Sequence, residues 1–194
     1  MRQLQAKAGA ALSSFPEQPD HSDRAGSAAG NARAIVLLVC LAAVIYAADR
    51  WTKGWALANL EPGVPEPFVG NLLRLHLIFN PGAAFSLGTG LTPAFTVLQT
   101  VVAVAVLVVA RRVVSTAWAA TLGLLLGGVL GNLTDRLTRP PGFGVGHVVD
   151  FLQLPYWPIF NIADSSIVSS AVLVALLTAR GTTWTTARAR PSVR

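Results

Sequence analysis

Hydrophobic positions gather into four long blocks, and polar positions crowd the gaps between them. Ala34 to Ala48 is apolar throughout. Carried on through Trp55, it reaches the ~20 residues that a membrane span requires. Pro93 to Ala110 is the second block, closed by Arg111-Arg112. Ala117 to Leu130 runs back as the third, and Ile162 to Ala179 forms the fourth. The pattern changes between the first two blocks. Leu73-Arg74-Leu75-His76-Leu77 alternates with period two, which predicts a strand with its apolar face against lipid and Arg74 and His76 towards water. Phe79 to Phe85 reads as a turn rich in small residues. Val148 to Leu152 predicts a further short strand, and Leu137 to Val149 a loop or lid. The whole predicts a mainly α membrane protein: four transmembrane helices with a small β-sheet and a loop on one side.

Composition agrees. Of 194 residues, 53% are hydrophobic and 12% charged, against about 25% charged in soluble domains. One compact unit, residues 34–179, suits the length, leaving no room for a large soluble domain. Residues 1–33 and 180–194 read as disordered tails, with His21 a solvated residue in the first. The net charge of +6 does not indicate nucleic acid, because the basic residues sit at the ends of apolar runs. Arg24, Arg33, Arg111, Arg112, Arg180, Arg188 and Arg190 all flank one side of the spans. The positive-inside rule places that side, and both termini, in the cytoplasm. Cys40 lies mid-span and reads as a small buried hydrophobe.

The outer loops then hold Asp49, Asp135, Asp150 and Asp164. Asp150 and Asp164 bracket a Pro- and Trp-containing stretch, and Asp164 opens an apolar helix. A carboxylate there is expensive and marks a functional site by default. Brought together, two carboxyls share a proton and perform acid/base chemistry. On spacing alone, a purely structural use remains open, in which the acids cap helices or pair with Arg136. Asp49 and Lys53 at i and i+4 share a helix face; they either pair at the helix end, with Trp51 and Trp55 at the lipid interface, or take a direct role in the site. Asn132 and Arg136 share a face, as do Asn161 and Asp164. A Ser165/His147/Asp150 set has nothing to fix its geometry, and His76 reads as a solvated strand residue. Metal ligation by Asp150, Asp164, Asp135 and His147 lacks any supporting His or Cys pair, so no metal and no cofactor is expected. A proton- or cation-relaying transporter is the main alternative, but it places acids near midplane in repeated halves. A non-catalytic assembly factor is a third reading.

Four segments resemble the bacterial lipoprotein signal peptidase (signal peptidase II) family. They are Asp49-x-x-x-Lys53; Asn80-Pro81-Gly82-Ala83-Ala84-Phe85; Gly127-Gly128-x-x-Gly131-Asn132-x-x-Asp135-Arg136; and Val149-Asp150-Phe151 with Phe160-Asn161-Ile162-Ala163-Asp164. They occur in the family's order within about Ala34 to Ala179. The resemblance implies an aspartic endopeptidase of the bacterial cytoplasmic membrane with its site at the extracytoplasmic face. Such an enzyme removes signal peptides from diacylglyceryl-modified prolipoproteins, cleaving before the lipidated cysteine. It implies Asp150 and Asp164 as the catalytic pair. Asn80, Asn132, Arg136 and Asn161 are implied as residues that line the site and contact substrate or the peptide antibiotic globomycin. Asp49, Lys53 and Asp135 are implied as structural residues near it, and the strand region as a cradle at the membrane surface. Membrane lipids are the surroundings, and a monomer is expected. Arg50 departs from the pattern, standing where a polar amide is expected.

Overall fold

The computed structural model describes residues 21–70, 72–82 and 91–185, with side-chain surroundings from Gly30 onward. Four helices carry the apolar blocks: α1 (His21–Asn59), α2 (Thr92–Ala110), α3 (Thr116–Thr138) and α4 (Ile162–Ala179). From Gly30 onward all four are long and apolar enough to cross a membrane. Their ends follow from local chemistry. Pro93 sits in the first turn of α2, where its missing N–H costs no bond. Ser115 caps α3, accepting from the Trp118 N–H. Asn161 caps α4 in a reciprocal box with Asp164.

The third helix is the hub. It packs against α1, α2 and α4, while α2 and α4 lean on it rather than on each other. Ala34, Leu38, Ala42, Ala103, Val106, Leu122 and Val129 fill the contacts. Lipid is as apolar as these side chains, so close approach rather than expulsion of water holds spans together. Glycine sets that approach along α3, most tightly at Gly128 and Gly131. A Cβ on Gly128 would lie 2.6 Å from the Ala163 carbonyl oxygen, and one on Gly131 would lie 2.5 Å from Asp49 Oδ2. Outward-facing Val97, Val101, Val104, Val108, Val168 and Val172 are exposed, as a lipid-facing surface requires.

Three strands form an antiparallel sheet in the order β1 (Pro65–Val69), β2 (Leu73–Asn80), β3 (Val148–Gln153). The proline-rich β1 is an edge strand, exposed along its length, where missing N–H groups are tolerated. The alternation in β2 is real, but its apolar face does not meet lipid. Leu75 and Leu77 pack with Val149 and Phe151 on Ala56 and Leu60 at the end of α1. Here water is available to be displaced, and each such side chain stabilises by about 1.5–3 kcal/mol. The expected cradle is therefore bolted to the first span. Arg74 is exposed, and His76 is half-buried with Nδ1 3.2 Å from Gln153 Oε1.

Two boundaries differ from the sequence reading. Helix α1 already begins at His21, and Asn31 Nδ2 donates to the carbonyls of Arg111 and Val113 at 3.2 and 2.8 Å. No proline interrupts His21 to Asn59, and its alanines favour helix. At the other end, residues 180–185 turn back onto the bundle. Trp184 packs on the core and its carbonyl accepts from Val114 N–H, while Trp118 Nε1 donates to the Thr182 carbonyl. Residues 1–20 and 186–194, the His21 side chain and the Ala83-Ala84-Phe85 part of the second motif lie outside the described residues. Cys40, expected to be buried, is exposed on the lipid-facing side of α1.

Candidate active site

Period two decides what β3 offers. Val149 and Phe151 enter the core under the sheet, so Val148 and Asp150 turn the other way. They line a cleft of about 320 Å³ together with Asn80, Asn132, Arg136 and Asp164. Asp164 reaches it from the third position of α4, which the Asn161 cap fixes. The strand and the helix start thus present their carboxyls to one space.

Three asparagines hold the two acids. Asn80 Nδ2 donates to Asp150 Oδ2 at 2.8 Å, and Asn161 Nδ2 to Asp150 Oδ1 at 2.6 Å. Asn132 Nδ2 donates to Asp164 Oδ1 at 2.7 Å. Asn161 also serves Asp164: its backbone N–H donates to Oδ2 at 3.2 Å, and its Oδ1 accepts the Asp164 N–H at 2.9 Å. One residue therefore grips both acids. Burial pushes the Asp150 carboxyl up to about 7, and the neighbouring Asp164 charge adds to that rise, against the pull of the Asn80 and Asn161 donors. A carboxyl so raised holds a proton near neutral pH.

Behind the asparagines lies a buried charge cluster. Lys53 Nζ reaches Asp49 Oδ2 at 2.8 Å, Asp135 Oδ2 at 3.0 Å and Asn132 Oδ1 at 2.8 Å. The Asp49–Lys53 pair forms as expected, but as a fully buried post rather than an interfacial pair. Asp49 Oδ1 accepts the Ala163 N–H at 3.0 Å, satisfying an orphan donor of the first turn of α4. Asp135 meets Arg50 at 2.6 Å and Arg139 at 2.5 Å, and accepts the Val149 N–H beside Asp150 at 3.3 Å. The unexpected Arg50 thus has a partner. Asp49, Lys53 and Asp135 fix the backbone on which the two cleft acids stand.

Arg136 lines the cleft, and its hydrogen bonds go to backbone carbonyls. Its Nη1 donates to the carbonyls of Asn80, Pro81 and Gly146 at 3.2, 3.0 and 3.1 Å, and Nη2 to Gly82 at 2.5 Å. The guanidinium borders the cleft but staples the turn after β2 to the loop before β3. Ser165 Oγ donates to the Asn161 carbonyl, and among the described residues it makes no bond with His147, so no Ser/His/Asp set assembles.

Sequence reasoning missed the wall supplied by α2. Thr92 Oγ1 donates to the Pro81 carbonyl at 2.5 Å and Thr96 Oγ1 to Gly144 at 2.7 Å, tying the helix to both loops. Phe95 and Gln99 line the cleft, facing Ile167 and Val168 of α4. Threonine and glutamine spaced three and four apart in an apolar run were the available signal.

A family model described as "Signal peptidase (SPase) II" matches residues 41–180. The chain is 52% identical over 149 residues to a lipoprotein signal peptidase of Leifsonia xyli, covering 76% of this chain and 69% of that protein. It is 48% identical over 146 residues to one of Rhodococcus jostii, covering 75% and 74%. A bacterial membrane enzyme solved by the in meso method superimposes with a TM-score of 0.69 at 23% identity, covering 82% of this chain and 96% of that one. The match runs through all four spans and both carboxyl-bearing segments, and with it the chain belongs to the signal peptidase II family of multi-pass membrane peptidases.

Proposed function

We propose that this chain removes signal peptides from diacylglyceryl-modified prolipoproteins, cleaving before the lipidated cysteine, with Asp150 and Asp164 as the catalytic pair. The observation that carries this reading is the gripping of both carboxyls by Asn161 at the wall of one cleft. Buried side by side, the pair holds one proton near neutral pH. The charged carboxylate takes a proton from water, whose oxygen attacks the scissile carbonyl carbon. The neutral carboxyl donates to the carbonyl oxygen as the C–O bond forms. Collapse of the tetrahedral intermediate breaks the C–N bond, and the amine leaves with a proton returned by the pair. Asn80 and Asn132 keep the carboxyls aimed at the cleft, while Asn161 fixes their separation. Arg136 supports the site by holding the turn after Asn80.

The apolar cleft wall of Phe95, Ile167 and Val168 suits a signal helix lying in lipid. The arginine distribution favours cytoplasmic termini and a site at the extracytoplasmic face of the cell membrane. Globomycin is expected to occupy the same cleft.

The test uses full-length protein in detergent with a diacylglyceryl-modified prolipoprotein and its unmodified form, beside Asp150→Asn and Asp164→Asn. Cleavage of the modified form alone, abolished by either substitution, is the expected result. Normal cleavage by either folded variant overturns the aspartyl mechanism.

A further inference from the structure

Helix α2 carries one carboxamide, Gln99, in an otherwise apolar stretch from Val97 to Ala110 broken only by Thr100. At 1.5 Å rise per residue it lies about 10 Å into the span from Thr92. It belongs to the protein-facing stripe with the buried Thr92, Thr96 and Ala103. The threonines have partners in the loops above. Gln99 does not: its Oε1 is buried and, among the described residues, accepts no hydrogen bond. The side chain lines the cleft, forming its membrane-embedded end with Phe95, Ile167 and Val168. Ile167 and Val168 stand about one turn deeper in α4 than Asp164.

An unpartnered carbonyl oxygen in a span is costly, because lipid offers no replacement for water. What Oε1 requires is a donor. Acyl chains have no polar atoms, and the ester oxygens of a glycerolipid only accept. A peptide N–H is the donor that a membrane-inserted substrate carries. An intact signal helix keeps those N–H groups bonded internally. A scissile amide that enters a cleft between two carboxyls has left the helix, and the residues beside it expose N–H groups that must find new acceptors. The position of Gln99 says which residues. The acids lie at the sheet end of the cleft and Gln99 at the lipid end, so it meets the signal-peptide side of the scissile bond.

We propose that Gln99 is a specificity-determining residue whose Oε1 accepts a backbone N–H from the unwound part of the substrate's signal peptide. This rests on the peptidase reading above. The contact replaces a bond that the substrate helix loses on entry, so it favours substrates that open beside the scissile bond.

The test compares wild type with Gln99→Met, which keeps side-chain length and removes the acceptor. The substrates are one diacylglyceryl-modified prolipoprotein peptide and a series in which single amides on the signal-peptide side are replaced by esters. Asp164→Asn serves as the control for the peptidase reading. Gln99→Met is expected to lower kcat/KM roughly five- to thirty-fold, the weight of one buried hydrogen bond, without lowering Tm. One ester position should cost wild type a similar factor and cost Gln99→Met nothing. Gln99→Met within about twofold of wild type, or no ester position costing wild type more than that, overturns the proposal. An Asp164→Asn protein that still cleaves removes the aspartyl mechanism instead, whatever the Gln99 comparison gives.

Discussion

Replacing Lys53 by methionine tests whether the buried charge cluster supports the site. Lys53 is fully buried and gives its ammonium to Asp49, Asp135 and Asn132. Without it the three acceptors fare differently. Asp135 keeps Arg50 and Arg139. Asp49 keeps only the Ala163 N–H, so one buried carboxylate is left without a counter-charge. Breaking one side of a buried pair costs about 3–5 kcal/mol. For a chain of this size each kcal/mol shifts Tm by about 2–4 °C, so a fall of about 6–20 °C is expected in detergent. The assay is thermal unfolding followed by tryptophan fluorescence, with five tryptophans as reporters. Asn132 also loses its anchor, so turnover per folded molecule drops as the grip on Asp164 slackens. Adding Asp49→Asn to Lys53→Met removes the stranded charge and should recover part of the stability. On its own, Asp49→Asn should lower yield more than turnover. A Lys53→Met protein that melts within about 2 °C of wild type, or strictly additive effects of the two substitutions, would refute this account.

Other outcomes follow from the same geometry. The Asp150 carboxyl, at about 7 in the folded chain against 3.8 for an ordinary aspartate, gives a defined pH dependence. Below the lower value both states hold the proton and nothing is lost. As pH climbs towards 7 only the folded state keeps it, so the group's contribution to stability falls across that window and levels off above it. Asp150→Asn should flatten the slope of Tm against pH there, and an unchanged slope would count against a raised value. Cleavage should decline as pH passes above about 7, where the pair loses its proton. Asn161→Ala removes the α4 cap and the link between the acids. It should cost about 1–2 kcal/mol in unfolding measurements and lower kcat more than it changes KM. Gly128→Ala forces α3 away from Ala163 and should destabilise by about 1–3 kcal/mol. A Tm equal to wild type would show that the helices part freely.

Much of this was legible in the chain because lipid imposes a simple rule. Backbone groups in hydrocarbon must bond within their own segment, so an apolar block of sufficient length becomes a helix. The alternation from Leu73 to Leu77 likewise announced β2, because a strand cannot turn successive side chains to one face. Spacing also paired Asp49 with Lys53, and Asn161 with Asp164. These are local relations, within one or two turns.

Tertiary structure decided what local spacing leaves open. Nothing in Leu73 to Leu77 says whether its apolar side meets lipid or protein; the end of α1 settled that by covering it. Arg136 shares a helix face with Asn132, yet its fork turned to backbone carbonyls from segments on either side in sequence. Gln99 looks like a stray polar residue until α4 stands opposite and makes a cleft of the space between them. The acids themselves were visible, and a resemblance pointed to them, but their meeting depends on Asn161 and on the glycines of α3 that let α4 approach. Sequence alone determined the spans, two of the three strands (β2 and β3, not the proline-rich β1) and which side groups are too costly to sit idle near lipid. The tertiary structure determined which of those groups face one another, because that depends on helix separation and strand register across residues far apart in the chain.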